Sequence, residues 1–365
     1  MPNLVSKEVS EGLKDIYHAD SNVTGNIAKI LLKAVQAGAS DIFLSSGSPP
    51  SCQIDGRTVF MEGEEVIRTE KLLEVLSDYD QKKLLENLGQ DFGLSIEGGY
   101  RFRANAFLQR NGVSIAFRAI PSQIPSFEER GLPEQLKKIV DMDSGLVIVT
   151  GSTGSGKSST LATIVDLINE KYQKHIITIE DPIEFIHNNK KSLIEQREIG
   201  LHAKSFDRAL RSALREAPDV ILVGELRDLE TTALALTAAE TGSLVLATLH
   251  ANSAPSAVTR IIDIFPNIQQ NQIRSQLAQS LQAIIWQTLL PNKSGKGRSC
   301  VFEVMFQNYA VSTMIRDNKV YQLKSVIETG KKSGMIPLKD CLEDLIRQDK
   351  IEVAVAQNIL NTHVS

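Results

Sequence analysis

Apolar residues in the first third of the chain follow two regular spacings. Just after residue 25 they recur at the spacing of one helix face and stop before Gly38; these residues are Ile27, Ile30, Leu31, Ala34 and Val35. This spacing predicts an amphipathic helix. Farther on, alternating runs predict strands, with tight turns at Asp55-Gly56 and Asn111-Gly112. We therefore predict an α+β domain over residues 25–120, after a polar, loosely ordered tail over residues 1–24.

The predicted hairpin over residues 100–120 carries an unusual polar face. A two-residue turn at Asn111-Gly112 would pair Arg110 with Val113. Alternation then places three guanidinium groups on one face, those of Arg101, Arg103 and Arg118. A solvated sheet face explains any one of them. Three like charges together cost free energy unless an anion or an acidic partner offsets them.

The pattern changes after a proline-containing stretch, residues 121–134, which predicts a linker. Four strongly apolar runs follow, separated by helical segments at residues 157–169 and 205–216. The runs are "LVIVTG", "IITIED", "VILVGE" and "LVLATLH". They are typical of buried parallel strands, so we predict an α/β domain over residues 135–365. The later segment "QIRSQLAQSLQAIIWQ" is predicted to be helical.

A phosphate-binding loop follows the first apolar run. "GSTGSGKS", residues 151–158, fits the pattern G-x-x-x-x-G-K-[ST] between a predicted strand and a predicted helix. Lys157 is expected to reach the outer phosphates of a nucleotide and Ser158 to ligate magnesium, while backbone amides surround the anion. The predicted nucleotide-binding residues are Gly151, Ser152, Thr153, Gly154, Ser155, Gly156, Lys157, Ser158 and Ser159.

Two other apolar runs end in residues that suit phosphate chemistry. Glu225 ends "VILVGE", where rigid placement at the sheet edge suits a second magnesium carboxylate, although acids there also cap helices. His250 ends "LVLATLH", where a γ-phosphate contact and a structural role are equally expected. We expect both residues on the same sheet edge as Lys157.

The run "IITIEDPIEF" brings together three acids of different predicted roles. Asp181 and Glu184, with Pro182 between them, resemble a helix cap with proline at the first helical position. Glu180 has no such structural role and stands at the last strand position. It is therefore the predicted carboxylate that orients or deprotonates the attacking water.

Composition restricts the class of protein further. No apolar run among the 365 residues reaches the roughly 18 that a membrane-spanning helix needs, and the N-terminus lacks a signal-peptide pattern. We expect a cytoplasmic protein without membrane insertion. The net charge of −4 argues against a nucleic-acid partner. The three cysteines lie far apart in the sequence and are interpreted as packing residues.

Several segments together resemble the hexameric ATPases of the type II/IV secretion family, most of all its pilus-retraction members. They are "GASDIFLSSGSPP", "YRFRANAF", "GSTGSGKSS", "TIEDPIEF", "LRSALREAPDVILVGELRDLETTALALTAAETG" and "TLHAN". The resemblance implies a PAS-like N-terminal domain and a RecA-like P-loop NTPase domain. It also implies a homohexamer with ATP at the subunit boundaries.

The same resemblance implies roles for the predicted site residues. Glu180 matches the family's catalytic carboxylate, Glu225 its magnesium carboxylate, and Arg101, Arg103 and Arg118 match arginines that reach the nucleotide. ATP and Mg2+ are the implied ligands. The implied partners are an inner-membrane pilus platform protein and a paralogous motor ATPase, which would place the protein peripherally at the inner membrane.

Three departures from the family pattern bear on the direction of the motor. Ser243 stands where the family's His box usually has its first histidine, and the retraction motif appears only as "AVSTMIRD". The extra N-terminal domain and tetracysteine zinc site of extension motors are absent from the sequence, which favours retraction. The alternatives are an assembly or secretion ATPase, a conjugation-type DNA-handling ATPase, which the acidic charge disfavours, and a regulatory ring without hydrolysis.

Overall fold

The chain forms two compact units, which meet in sequence between Gln123 and Ile124. The computed structural model describes residues 21–22, 25–54, 57–96, 100–120, 124–295 and 297–363. Of the predicted tail, residues 1–24, only Ser21 and Asn22 are among them. The division falls inside the predicted linker, residues 121–134.

The first unit is an α+β arrangement around one sheet. Its described strands are β1 (Ser21–Asn22), β2 (Asp41–Ser45), β3 (Ser51–Ile54), β4 (Arg57–Phe60), β5 (Gly89–Ile96), β6 (Tyr100–Gln109) and β7 (Gly112–Ile120). They lie in the order β1-β5-β6-β7-β2-β3-β4, antiparallel except for β1 beside β5. Its helices are α1 (Asn26–Gln36), α2 (Thr69–Leu73) and α3 (Asp78–Asn87). The apolar face predicted for α1 is buried in the core of this unit.

The hairpin of β6 and β7 differs in register from the prediction. Gln109 lies opposite Gly112, so the turn residues are Arg110-Asn111, and the predicted pairing of Arg110 with Val113 is wrong. Gly112 adopts φ +121°, and a Cβ there would lie 2.1 Å from the hydroxyl of Thr69. Close packing against α2 therefore requires glycine in the strand and moves the turn back by one residue.

The hairpin nevertheless keeps its two predicted faces. The pairing differs from the predicted one by two residues, and strand side chains alternate between faces with a period of two. Phe102 and Phe117 both point into the core, where their rings meet edge to face at 6.2 Å. On the opposite face Arg103 lies directly across from Arg118. Arg118 in turn forms an ion pair of 2.8 Å with Asp41 on β2, which offsets part of the clustered charge.

The second unit is an α/β layer structure. Its described strands are β8 (Gly145–Thr150), β9 (His175–Glu180), β10 (Leu193–Glu198), β11 (Val220–Val223), β12 (Leu244–Leu249), β13 (Leu281–Pro291) and β14 (Arg298–Phe306). Their order is β10-β9-β11-β12-β8-β13-β14, and only the β13–β14 pair is antiparallel. The four apolar runs are the central strands β8, β9, β11 and β12, as predicted. Their carboxyl ends therefore meet at one edge.

Helices pack around this sheet, whose central strands β8, β11 and β12 are fully buried. They are α4 (Lys137–Val140), α5 (Lys157–Lys171), α6 (Phe206–Ala213), α7 (Leu229–Glu240), α8 (Ala254–Asp263), α9 (Asn267–Ser280), α10 (Tyr309–Arg316), α11 (Leu323–Thr329), α12 (Leu338–Arg347) and α13 (Val353–His363). Short 3-10 turns occupy Glu134–Leu136, Val320–Gln322 and Gly330–Ser333. None of the helices in the described part of the chain is both long and apolar enough to cross a membrane.

Two segments differ from their predicted structure. The predicted helix continuing to "QAIIWQ" ends at Ser280, and the rest is β13, because a fully buried strand and a buried helix face give the same apolar run. The predicted linker is also not free along its length. Phe127 and Leu132 are buried in the core of the second unit, so residues 124–134 pack as part of it.

Candidate nucleotide-binding site

The predicted site residues of the second unit gather at the carboxyl edge of its sheet. Strand β8 leads into the loop of residues 151–156, and α5 begins at Lys157. Glu180 is the last residue of β9, Glu225 lies two residues beyond β11, and His250 directly follows β12. Parallel strands bring these ends together, as the sequence predicted.

The loop of residues 151–156 adopts backbone angles that glycine provides. Gly151, Gly154 and Gly156 have φ values of +145°, +76° and +88°. A Cβ at Gly151 would lie 2.2 Å from the carbonyl oxygen of Gln287 on β13. The loop therefore lies tightly against the neighbouring strand and curls around the N-terminus of α5, the geometry that binds phosphate groups.

Lys157 projects over this loop. Its ammonium group donates hydrogen bonds of 3.0 Å to the carbonyl oxygens of Gly151 and Ser152. Burial lowers the pKa of this ammonium, while the carboxylates of Glu225 and Glu184 act in the opposite direction. Lys157, Glu225 and Glu184 therefore interact electrostatically within one site. An anion bound beside Lys157 would replace the solvation that its ammonium group loses on burial.

Two side chains that the sequence analysis missed hold the loop in place. The buried amide of Gln287 donates to the Ser155 carbonyl oxygen at 2.8 Å and accepts from the Thr160 hydroxyl at 2.8 Å. Arg130 donates to the Gly156 carbonyl oxygen at 3.3 Å. The signal for Gln287 was its polar side chain inside the largely apolar run "LQAIIWQTLL". Arg130 gave none, because it lies in the segment interpreted as a linker.

Glu225 sits between two cationic or hydrogen-bonding side chains. The Nε nitrogen of Arg227 donates to its Oε2 at 2.5 Å, and Nε2 of His250 lies 3.3 Å from its Oε1. The other ring nitrogen of His250 lies 3.2 Å from the Gly151 carbonyl oxygen. The predicted acid and histidine therefore contact each other, and the histidine also contacts the phosphate-binding loop. Arg227, two residues after Glu225, was not predicted.

Glu180 occupies a partly enclosed position beside β10. Its Oε1 accepts from the hydroxyl of Thr178 at 2.6 Å and from the amide of Gln196 at 3.3 Å, and its Oε2 faces the backbone N–H of Glu184 at 3.5 Å. Burial raises the pKa of this carboxyl to about 7, although these hydrogen bonds act in the opposite direction. A carboxyl group with a pKa near neutral pH is suited to accept a proton.

The predicted helix cap after Glu180 is wrong. The described chain forms no helix between β9 and β10, so Asp181 and Glu184 do not cap one. Instead, Ile183 and Phe185 are buried, and the backbone N–H of Ile183 donates to a carboxylate oxygen of Glu198 at 3.1 Å. The path of this loop is therefore determined by burial of Ile183 and Phe185 and by the hydrogen bond to Glu198 on β10, and not by a helix cap.

Ser243 lies away from this site. It immediately precedes β12, at the opposite end of the strand from His250, and its hydroxyl donates to the Pro218 carbonyl oxygen at 2.9 Å. The departure from the expected histidine therefore leaves the contacts of His250 intact. Arg101, Arg103 and Arg118 belong to the first unit, and their predicted reach to the nucleotide stays a prediction.

Comparison with known proteins identifies the family. The family model described as "Type II/IV secretion system protein" matches residues 18–359. The chain belongs to this family. A Pseudomonas aeruginosa relative described as "Type IV pilus retractation ATPase PilT" is 46% identical over 329 residues, covering 89% of this chain and 95% of the relative. A second relative from that organism, "Type IV pilus ATPase PilU", is 41% identical over 327 residues, covering 88% of this chain and 85% of the relative.

A solved structure of this secretion ATPase family gives the same result in three dimensions. It is the crystal structure of the pilus retraction motor PilT with bound ADP, with a TM-score of 0.86 and 44% identity. The match covers 92% of this chain and 97% of the other. It confirms the RecA-like α/β fold class and the prediction that the chain is a PilT-like secretion ATPase that uses nucleotide.

Proposed function

We propose that this protein is a cytoplasmic motor that converts ATP hydrolysis into retraction of a type IV pilus. The observation that carries the proposal is the convergence of Lys157, Glu180 and Glu225 on one sheet edge, in a chain that resembles PilT along most of its length. The sequence identity of this chain to PilT is higher than its identity to PilU, and we therefore base the proposed function on the retraction ATPase.

In the proposed reaction, the loop of residues 151–159 binds the phosphates through its backbone amides, and Lys157 neutralises the outer phosphate charge. Glu180 holds the attacking water. As the water oxygen bonds to the γ-phosphorus, the bond from phosphorus to the ADP oxygen breaks, and one water proton passes to the Glu180 carboxylate. Release of that proton to solvent restores Glu180 for the next turnover.

The residues proposed for magnesium suit that ion. Ser158 supplies a hydroxyl oxygen at the start of α5 and Glu225 a carboxylate oxygen, which are the ligand types that magnesium takes in nucleotide sites. When bound, the ion would neutralise charge on the β- and γ-phosphates. His250 and Arg227 both contact the carboxylate of Glu225 and fix its position.

The proposed assembly is a homohexamer with ATP at the subunit boundaries, where Arg101, Arg103 and Arg118 would reach the nucleotide. Its output partner would be an inner-membrane pilus platform protein, with a paralogous motor as a second partner. This part rests on the family resemblance and on the clustering of the three arginines. It places the protein peripherally at the cytoplasmic side of the inner membrane.

The direct test combines one variant with one strain. Glu180→Gln keeps the hydrogen-bonding shape but cannot accept the proton, so phosphate release should fall by about 100-fold or more while nucleotide binding persists. Deleting the gene should leave cells with excess, immobile pili, and the Glu180→Gln gene should not restore retraction. Normal turnover in the variant would contradict the role of Glu180, and bald deletion cells would indicate assembly instead of retraction.

A further inference from the structure

Gln196 on the edge strand β10 links the proposed catalytic carboxylate to the loop that follows it. It lies directly across from Thr178 in the β9–β10 register. Its Nε2 is 3.3 Å from Oε1 of Glu180 and 2.8 Å from the carbonyl oxygen of Phe185. Its Oε1 accepts from the backbone N–H of His187 at 2.8 Å. Both amide protons and one lone pair of the amide oxygen are thus in use.

The chemistry of these neighbours fixes the orientation of the amide. The backbone N–H of His187 can only donate, so it must face the oxygen of Gln196. The carbonyl oxygen of Phe185 can only accept, so it must face the NH2 group. The second proton of that NH2 group then points at Glu180, and a donor in this position favours the ionised form of the carboxyl.

The two oxygens of Glu180 are consequently different. Oε1 accepts from both Gln196 and Thr178, with the Thr178 bond at 2.6 Å. Among the described residues, the contact given for Oε2 is the backbone N–H of Glu184, at the long distance of 3.5 Å. A contact of that length is a weak hydrogen bond, so Oε2 keeps capacity to bind a further donor.

We propose that Gln196 is a positioning residue for hydrolysis: it holds Oε1 of Glu180 so that Oε2 faces the attacking water and receives its proton. This inference rests on the proposed role of Glu180. Gln196 does not touch substrate in this scheme. It acts by keeping the carboxylate ionised and by fixing which of its oxygens is free.

Gln196 also holds the loop of residues 185–187, so a control must loosen the same loop without touching Glu180. Lys190 provides it. Its ammonium group forms ion pairs with Asp166 at 2.8 Å and Glu170 at 2.7 Å on α5, anchoring the loop at a different point. Lys190→Met therefore weakens the loop anchor and leaves the hydrogen bonds of Glu180 in place.

The experiment compares pH profiles of steady-state ATP hydrolysis for the full-length wild type, Gln196→Met and Lys190→Met. Gln196→Met should lower kcat about tenfold at pH 7, leave KM for ATP within about twofold, and move the acid limb of the profile up by about one pH unit, as expected when a charge-stabilising donor is lost. Lys190→Met should keep the wild-type position of that limb.

A second variant covers the case in which Gln196→Met folds poorly. Gln196→Glu is isosteric, keeps an acceptor for the His187 N–H, and places a second carboxyl beside Glu180, so it should move the acid limb upward at least as far. Wild-type limb positions in both Gln196 variants would overturn the inference. If Glu180→Gln hydrolyses ATP normally, the proposed function itself fails; if it is inactive and the Gln196 variants are unshifted, only this inference fails.

Discussion

Nε2 of His250 lies 3.3 Å from Oε1 of Glu225. The same ring contacts the Gly151 carbonyl oxygen through Nδ1 at 3.2 Å, so one side chain joins the strand-end acid to the start of the phosphate-binding loop. Both neighbours are hydrogen-bond acceptors, and a neutral imidazole can donate to only one of them. His250 therefore hydrogen-bonds one of the two while it packs against the other, and through these two contacts it couples the position of Glu225 to that of the loop.

Replacing His250 tests this coupling. His250→Ala should lower kcat about tenfold, the effect of losing one hydrogen bond to a charged group, and should change ADP affinity less because the loop amides remain. His250→Gln, which keeps one donor, should retain more activity. Steady-state hydrolysis and ADP titration measure the two effects, and an unchanged kcat in His250→Ala would leave the histidine with a structural role only.

Hydrolysis should depend on the ionisation of Glu180. Burial raises the pKa of its carboxyl to about 7, and in the proposed reaction only the carboxylate form can take the proton of the attacking water. Activity should therefore rise with pH through an acid limb near pH 7 and level off above it. A profile of kcat measured at saturating ATP checks the prediction, and a limb near the ordinary glutamate pKa of about 4.3 would contradict it.

Gln287 should matter for nucleotide affinity although it lies behind the loop. Gln287→Leu leaves the Ser155 carbonyl oxygen and the Thr160 hydroxyl without their buried partner, which should lower the free energy of unfolding by about 1–3 kcal/mol. The loosened loop should bind ADP at least several-fold more weakly. Denaturant unfolding and ADP titration measure both effects, and unchanged ADP affinity would show that other contacts fix the loop.

Asp181 should contribute little to stability. Its side chain is 43% exposed, caps no helix, and lies 3.9 Å from Arg227 in a solvent-screened ion pair. Asp181→Ala should change the free energy of unfolding by less than about 0.5 kcal/mol, in contrast to the roughly 1 kcal/mol expected for a lost helix cap. Denaturant unfolding distinguishes the two values.

A buried acid on β14 should make stability depend on pH. Glu303 is 5% exposed and accepts from the backbone N–H of Ala254 at 2.9 Å, and burial raises its pKa to about 6. The folded protein thus binds this proton more tightly than the unfolded chain. The contribution to stability is fully present below about pH 4.5 and is lost as the pH rises to about 6.

Glu303→Gln cannot titrate, so its stability relative to the wild type should rise by about 2 kcal/mol between pH 4 and pH 7. Denaturant unfolding at the two pH values measures this difference. A constant gap between the two proteins at both pH values would mean that Glu303 has an unperturbed pKa.

The positions of the candidate site residues were predictable where strand ends alone determine them. The phosphate-binding loop and the strand-end positions of Glu180, Glu225 and His250 follow from apolar runs that must form parallel strands. Their supporting contacts were not predictable. Gln287 lies 132 residues from Ser155, and Gln196 lies 16 residues from Glu180 on the neighbouring strand, and no local pattern specifies such pairs.

The errors in the fold have similar origins. The turn after β6 moved because Gly112 packs against Thr69, a contact across the first unit. The predicted cap at Asp181 failed because burial of Ile183 and Phe185 outweighed a local capping sequence. In each case tertiary packing decided between local alternatives of similar free energy.

The packing of residues 124–134 sets the usable boundary for a fragment of this protein. A shortened chain beginning at residue 135, the predicted start of the ATPase domain, would lack the buried rings and aliphatic groups of Phe127 and Leu132. It would also lack the guanidinium group of Arg130 that holds Gly156. Expression of the second unit by itself should therefore start at or before Ile124, since a later start removes part of the core and a support of the phosphate-binding loop together.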